Sequence, residues 1–334
     1  MNRNSLKFKN ICITDSLYSL LIFMLISESK ISETFFIFGN SININKEIFK
    51  DNSIIIEKEN AVSKIDSMKK RMKMYSFMKN FVSENNLKGL TVYGGDHLTG
   101  AGYFIKNHDF QVIEDGIINY YSMPEVDKQI KRESFLLKMF KYATYLYYPY
   151  GFSKNVSRVY LTKETDDIPK RLKNKVEFIS LKKLWDNSSE EKKNEILYVF
   201  GLETSLLKEL SEKENILLTQ PFSEDKVVTE EEKIEIYKNI MKNYDEEKTV
   251  IKTHPREKTF YKDIFPKAVI LDKPFPFELF SLMDSNFKKA VTVFSTSVMN
   301  LGKDVEIDFY GSRINDKLLK KFGDIKLEDF VNKN

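Results

Sequence analysis

What most constrains the fold of this chain is an alternation. Short apolar runs, each closed by a polar loop, take turns with stretches of helical spacing: NICITD precedes SLYSLLIFMLISES, GLTVYGG precedes AGYFIKN, and NILLTQ and TVIKTHP flank TEEEKIEIYKNIMKNY. Strands alternating with helices predict parallel βαβ units and an α/β chain. In open sheets of that kind ligands sit outside the carboxyl ends of the strands, so the loop after each strand is where chemistry is sought. One such loop stands out. In TVIKTHPREK (249–258) an apolar strand, Thr249, Val250 and Ile251, runs into His254-Pro255, with Lys252 and Arg256 on either side. The chain has only 3 histidines. One at a strand end between cations suggests a site for an anion or a phosphate ester.

A chain of 334 residues with 42% hydrophobic content can bury a sizeable core, and its length predicts about two domains of ~150 residues. The polar stretch 184–195 reads as the linker, giving an N-terminal Rossmann-like domain over 1–185 and a C-terminal one over 186–334. No internal repeat is visible. Lys+Arg of 53 against Asp+Glu of 49 leaves a net charge of +4, which gives no electrostatic argument for nucleic acid. The single cysteine, Cys12, excludes an internal disulfide framework, fits a reducing compartment and reads as core filler in the first strand. No segment approaches the ~18–20 apolar residues of a membrane span. The nearest, 16–29, lacks the basic start and small-residue cleavage site of a signal peptide and reads as a first buried helix. The expected location is cytoplasmic. Over 61–85, Ile65, Met68, Met72, Tyr75, Met78, Phe81 and Val82 recur at helical spacing and are expected in the core. The basic amphipathic stretch 128–150 reads as a helix covering the sheet, with contact to a membrane surface or a dimer interface as alternatives.

Several strand ends carry residues suited to chemistry. Glu114, Asp115 and Gly116 follow FQVI; a carboxylate there can act as general base, and Gly116 permits a sharp exit. The alternative is a solvated turn. His254, protonated, can stabilise or protonate a phosphate leaving group, or be a plain surface histidine. Phe294, Ser295, Thr296 and Ser297 sit between a strand and a helix, where hydroxyls and backbone amides form a phosphate site or an ordinary cap. Glu278 either binds ribose hydroxyls or favours a helix N-terminus. In TQPFSEDK, Gln220 and Pro221 are candidates to line a donor site and Asp225 to supply a base, the alternative being a loop acid pair with Glu224. In GGDHLTG, Asp96 and His97 either contact an acceptor or cap the next helix. There is no GxxxxGK[ST] loop, no GxGxxG and no Cys/His cluster of metal spacing, so the expectation is a reaction without metal or other cofactor.

The order of these segments resembles the bacterial sialyltransferases, most closely the lipooligosaccharide sialyltransferases of glycosyltransferase family 52. FQVIEDGIINY resembles that family's acidic-Gly segment, including Asn119; IKRESFLLKMF resembles the basic helix after it; NILLTQPFSED and VIKTHPRE resemble its nucleotide-side motifs; and NICITDSLYSLLIFMLI resembles its opening strand and helix. The resemblance runs from about residue 10 to 311. It implies a GT-B fold of two Rossmann-like domains facing across a cleft, and inverting transfer of sialic acid from CMP-sialic acid to a galactose of a lipooligosaccharide or capsular-type glycan, without metal. It implies Glu114 or Asp115 as base, with Asp225 a rival, and His254 as the acid at the CMP phosphate. Ser295, Thr296 and Ser297 would hold that phosphate and Glu278 the ribose; Gln220, Pro221, Lys252, Pro255, Arg256 and Phe294 would complete the donor side, and Asp96, His97, Gly116 and Asn119 the acceptor side. The partners implied are a nucleotide-sugar donor and a glycan acceptor, with peripheral attachment at the inner membrane face and a homodimer as further expectations. The resemblance departs from some members in that no N-terminal membrane anchor is expected here, which puts membrane tethering in question. A UDP-sugar donor within the same family and a non-catalytic glycan-binding relative stay open as alternatives.

Overall fold

The computed structural model describes residues 7–57, 60–202, 204–283, 286–301 and 304–331. The chain forms two compact units, 1–196 and 197–334.

Unit 1 runs β1 (Asn10–Thr14), α1 (Leu17–Ile26), β2 (Thr34–Gly39), β3 (Ser53–Ile56), α2 (Lys64–Glu84), β4 (Thr91–Gly94), α3 (Ala101–Asn107), β5 (Phe110–Ile113), α4 (Ile118–Arg132), α5 (Phe135–Ala143), β6 (Val156–Leu161), β7 (Val176–Phe178), α6 (Leu181–Asp186) and α7 (Glu190–Val199). Its seven strands are ordered β3-β2-β1-β4-β5-β6-β7, all parallel. A parallel sheet is covered on both faces, so its strands are buried throughout and read as unbroken apolar runs. β1 is buried at every residue, with Cys12 inside it. α1, apolar on all sides, is the buried helix that such a composition requires.

Unit 2 runs α8 (Thr204–Ser211), β8 (Asn215–Leu218), α9 (Glu230–Met241), β9 (Thr249–Lys252), α10 (Tyr261–Ile264), β10 (Val269–Leu271), α11 (Glu278–Leu282), β11 (Lys289–Thr292), β12 (Glu306–Phe309), α12 (Asp316–Phe322) and α13 (Glu328–Val331). Its sheet is β10-β9-β8-β11-β12, again parallel. α9 opens with a capping box: Thr229 accepts from the Glu232 amide while Glu232 reaches back to the Thr229 amide. In both sheets the strand order reverses direction beside the first strand, between β1 and β4 and between β8 and β11. A reversal of this kind leaves a crevice at the carboxyl ends of the strands.

Three expectations are corrected. The stretch 184–195 is mostly helical, the end of α6 and the start of α7. It stays with unit 1 because Lys192 Nζ donates to the carbonyls of Leu25 and Ser27, both at 2.8 Å, and Glu195 accepts the Ile31 amide. The stretch 128–150 is not one helix over the sheet. α4 stops at Arg132, Ser134 caps α5 through the Leu137 amide, and α5 has no buried residue. On α2 only Met78 and Val82 are buried, while Ile65 and Met72 lie in solvent. No described helix is long and apolar enough to cross a membrane.

The reversal in unit 1 depends on Gly94. Its φ is +142°, and a Cβ there would stand 1.9 Å from the Ile13 carbonyl oxygen on β1. Gly94→Ala is therefore expected to destabilise unit 1 by about 3 kcal/mol, the upper range for overpacking against backbone, read as a lower urea midpoint with circular dichroism.

Candidate functional site

Two sets of side chains gather at the carboxyl edges, one in each unit. In unit 1 the loops after β1, β4 and β5 bring Asp15, His97 and Asp115 together, each with a polar atom within 4.8 Å of the others. His97 Nε2 stands 3.5 Å from Asp115 Oδ2, and its ring stacks on Tyr150 with centroids 5.5 Å apart. Asn119, fully buried, accepts the Asp115 amide at 2.8 Å. The hydrogen bond from His97, outweighing burial, holds the Asp115 carboxyl below the usual range. Burial pulls His97 down, but the bond to Asp115 and the carboxylates of Asp96, Asp115 and Asp15 together raise it. The pair thus favours the carboxylate form of Asp115 and the protonated form of His97, each relative to its ordinary state. The same three side chains offer ligand atoms that could hold a divalent cation.

Glu114 and Asp115, adjacent in sequence, do different things. Glu114 is buried and accepts the Thr162 amide at 2.6 Å, the Tyr120 hydroxyl at 2.7 Å, the Thr162 hydroxyl at 2.9 Å and the Tyr18 hydroxyl at 3.1 Å. Its oxygens are committed to joining β5, β6, α1 and α4. Asp96 is buried too and accepts the amides of Tyr150 and Gly151 at 2.7 and 2.8 Å; it pins a loop whose backbone is left-handed at both residues. Gly116 turns with φ +66°.

In unit 2, His254 follows β9. Its ring Nδ1 accepts the Arg256 amide at 3.2 Å, and its own amide donates to Glu257 Oε2 at 2.7 Å. With Nδ1 accepting, a neutral ring carries its proton on Nε2. Burial, then the Arg256 charge, lowers its pKa. Glu257 also accepts the hydroxyls of Thr219 at 2.5 Å and Tyr261 at 2.8 Å, and burial raises its pKa. Lys233 on α9 is wholly buried. Its ammonium lies 2.9 Å from Glu224, 3.1 Å from Glu230 and 3.8 Å from Glu257. Arg256 closes on Asp225 with two nitrogens, one at 3.1 Å, so both are engaged with each other. Lys252 is buried, with Nζ on the Thr253 carbonyl at 2.9 Å and over the Phe275 ring at 4.9 Å; burial pushes it down to about 8.

At the unit 2 reversal Gln220 spans the strands, its side-chain oxygen accepting the Phe294 amide at 3.0 Å while its own amide donates to the Tyr237 hydroxyl. Pro221 beside it is buried, and Pro255 is exposed. The Ser295 amide donates to Thr292 Oγ1 at 2.8 Å. After Ser295 the chain makes a 3-10 turn, Thr296–Asn300, in place of the expected α-helix, and the Ser295 side chain makes no capping bond. Glu278 opens α11.

Sequence reasoning passed over Lys233, Glu257 and Asp15. Glu257 was signalled only by lying three residues after His254. Lys233 reads as one more solvated helix charge, and nothing in its spacing announces burial.

Two outcomes are expected. Lys233→Met strands buried carboxylates and is expected to cost about 3–5 kcal/mol, measured by urea unfolding. His97, raised in the fold, contributes stability that is complete below its unfolded pKa near 6.5 and is lost as pH rises through the folded value. Asp115, lowered, contributes stability present above its unfolded pKa and lost as pH falls through the folded one. The urea midpoint should therefore decline above neutrality, and His97→Gln should flatten that decline.

The comparisons with known proteins agree with this architecture. The model of glycosyltransferase family 52 matches residues 32–318. A Haemophilus influenzae protein described as uncharacterized is 43% identical over 242 residues, 72% of this chain and 75% of its own. Among solved structures, a sialyltransferase GT-B domain from Photobacterium damselae superposes with TM-score 0.59 at 13% identity, covering 90% of this chain and 89% of that one. A Photobacterium phosphoreum α/β-galactoside α-2,3-sialyltransferase gives 0.56 at 14%, with 93% of each chain covered. A Photobacterium 2,6-sialyltransferase, solved with CMP and lactose, gives 0.54 at 11%, covering 90% of this chain and 70% of that one. These likenesses give the GT-B fold. With the family match spanning most of the chain, it belongs to glycosyltransferase family 52 and is a glycosyltransferase.

Proposed function

We propose that the protein transfers sialic acid from CMP-sialic acid to a galactose hydroxyl of a glycan, by single displacement with inversion and without metal. The observation that carries this reading is the Asp115–His97 pair at the unit 1 strand reversal, 3.5 Å apart, a carboxyl held below and an imidazole held above their ordinary ranges. Support for the donor comes from the fold neighbours, which are sialyltransferases, one of them solved with CMP and lactose.

The acceptor hydroxyl loses its proton to Asp115 as its oxygen bonds to the anomeric carbon of the sialyl group. The bond from that carbon to the CMP phosphate breaks, and His254 gives the phosphate oxygen a proton from Nε2. The hydroxyls of Ser295, Thr296 and Ser297 hold the phosphate, and Glu278 the ribose. A phosphate anion beside His254 opposes the burial and the Arg256 charge that lower it, so its protonation accompanies donor binding. Of the three carboxylates considered as base, Glu114 is saturated by donors and Asp225 is closed on by Arg256. Asp115 is the one whose neighbours tune it.

Purified protein with CMP-sialic acid and lactose is expected to yield sialyllactose. Asp115→Asn and His254→Ala should each lose about 10²–10⁴-fold in kcat with melting temperature kept, whereas Asp225→Asn should lose less than either. EDTA should leave the rate unchanged, and CMP should raise the melting temperature where UDP does not. His97→Gln removes the bond that lowers Asp115, so the acid limb of kcat/KM should move to higher pH. Full turnover by both Asp115→Asn and His254→Ala would sink the assignment.

A further inference from the structure

What holds His97 in place lies partly in the loop between α5 and β6. Tyr150 in that loop has φ +61°, in the left-handed region that a bulky side chain seldom adopts. Gly151 after it is left-handed too, at +92°. One buried carboxylate holds both: Asp96 Oδ1 accepts the Tyr150 amide at 2.7 Å, and Asp96 Oδ2 accepts the Gly151 amide at 2.8 Å. Successive amides turned toward one anion form a nest. A sparsely populated backbone conformation persists only where its surroundings over-determine it, and here Asp96 does so.

What the conformation delivers is a ring. Tyr150 stacks on His97 with centroids 5.5 Å apart and planes 25° from parallel. His97 is crowded from its own loop as well: a Cβ on Gly95 would stand 2.9 Å from His97 Cε1, the carbon bonded to Nε2. Nε2 is the atom that faces Asp115 Oδ2 at 3.5 Å. Rotation of the imidazole about its Cβ–Cγ bond would carry Nε2 away from Asp115. An aromatic ring stacked on the imidazole face resists that rotation. Asp96 directly precedes His97, so the clamp and the ring it steadies start from the same turn after β4.

We infer that Tyr150 is a positioning residue for the transfer, set over His97 by the Asp96 clamp so that Nε2 stays aimed at Asp115. This rests on the reading of Asp115 as base. It gives Asp96 a stretch of backbone to hold in place of the acceptor contact that the resemblance implies, since each of its oxygens takes an amide.

The test separates the ring from the fold. Tyr150→Leu, with CMP-sialic acid and lactose, should lower kcat by about 10- to 100-fold, the cost of a small misplacement at the reacting atoms, and leave the KM for CMP-sialic acid unchanged. Tyr150→Phe, which keeps the ring, should keep the rate. In the His97→Gln background Tyr150→Leu should cost nothing further. An unchanged kcat in Tyr150→Leu, or a Tyr150→Phe as damaging as Tyr150→Leu, overturns the inference and leaves the transferase reading standing. Should the unmodified protein sialylate nothing, that reading fails and urea unfolding decides on the positioning alone. Asp115→Asn should then lower the urea midpoint less when Tyr150→Leu is already present, and that difference should vanish in the His97→Gln background. Equal losses with and without Tyr150→Leu, or a difference that persists without the His97 ring, overturn it.

Discussion

The geometry of unit 2 hangs on one buried cation. Lys233 has no exposed surface and sits among Glu224, Glu230 and Glu257. Removing an ammonium from water costs several kcal/mol unless close, hydrogen-bonded carboxylates repay it. Those carboxylates come from the loop after β8, the start of α9 and the loop after β9. Helix and loops must therefore meet at one point for the charge to be tolerated. Glu257, held there, takes the His254 amide and the Thr219 hydroxyl, while Glu224 takes the Lys258 amide at 2.7 Å. The position of His254 thus follows from a buried charge on α9.

Unit 1 solves the same problem without a buried cation. Its carboxyl edge is gathered by Glu114, through hydroxyls and an amide drawn from three other segments. The next residue, Asp115, also lies beyond the end of β5 but meets His97 instead. One acid fixes the edge, and its neighbour faces His97.

The sheets were legible because parallel strands buried on both faces leave unbroken apolar runs, and NICIT, TFFIFG and NILL cannot be read otherwise. The strand ends followed, and with them the positions of Asp115, His97 and His254 in the loops after β5, β4 and β9. What was not legible depends on tertiary partners. The apolar stripes of α2 and α5 have the period of core helices, yet α5 stays bare and a third of α2 borders a cavity; period reports a face and not what covers it. The end of the first unit was misplaced because α7, charged and polar, is held by side-chain bonds to carbonyls at the end of α1, which no composition reveals. Glu114 and Asp115 were indistinguishable in sequence, since their difference lies in which neighbours point at them.

The two site histidines show how far environment decides chemistry. His97 lies among three carboxylates and is raised despite its burial; His254 lies beside Arg256 and is lowered. The same imidazole thus favours its charged form at one edge and its neutral form at the other. Environments that push like groups apart assign acid and base roles. A raised His97 beside a lowered Asp115 favours the ion pair of the two. An anion placed beside His254 would oppose the burial and the Arg256 charge that lower it.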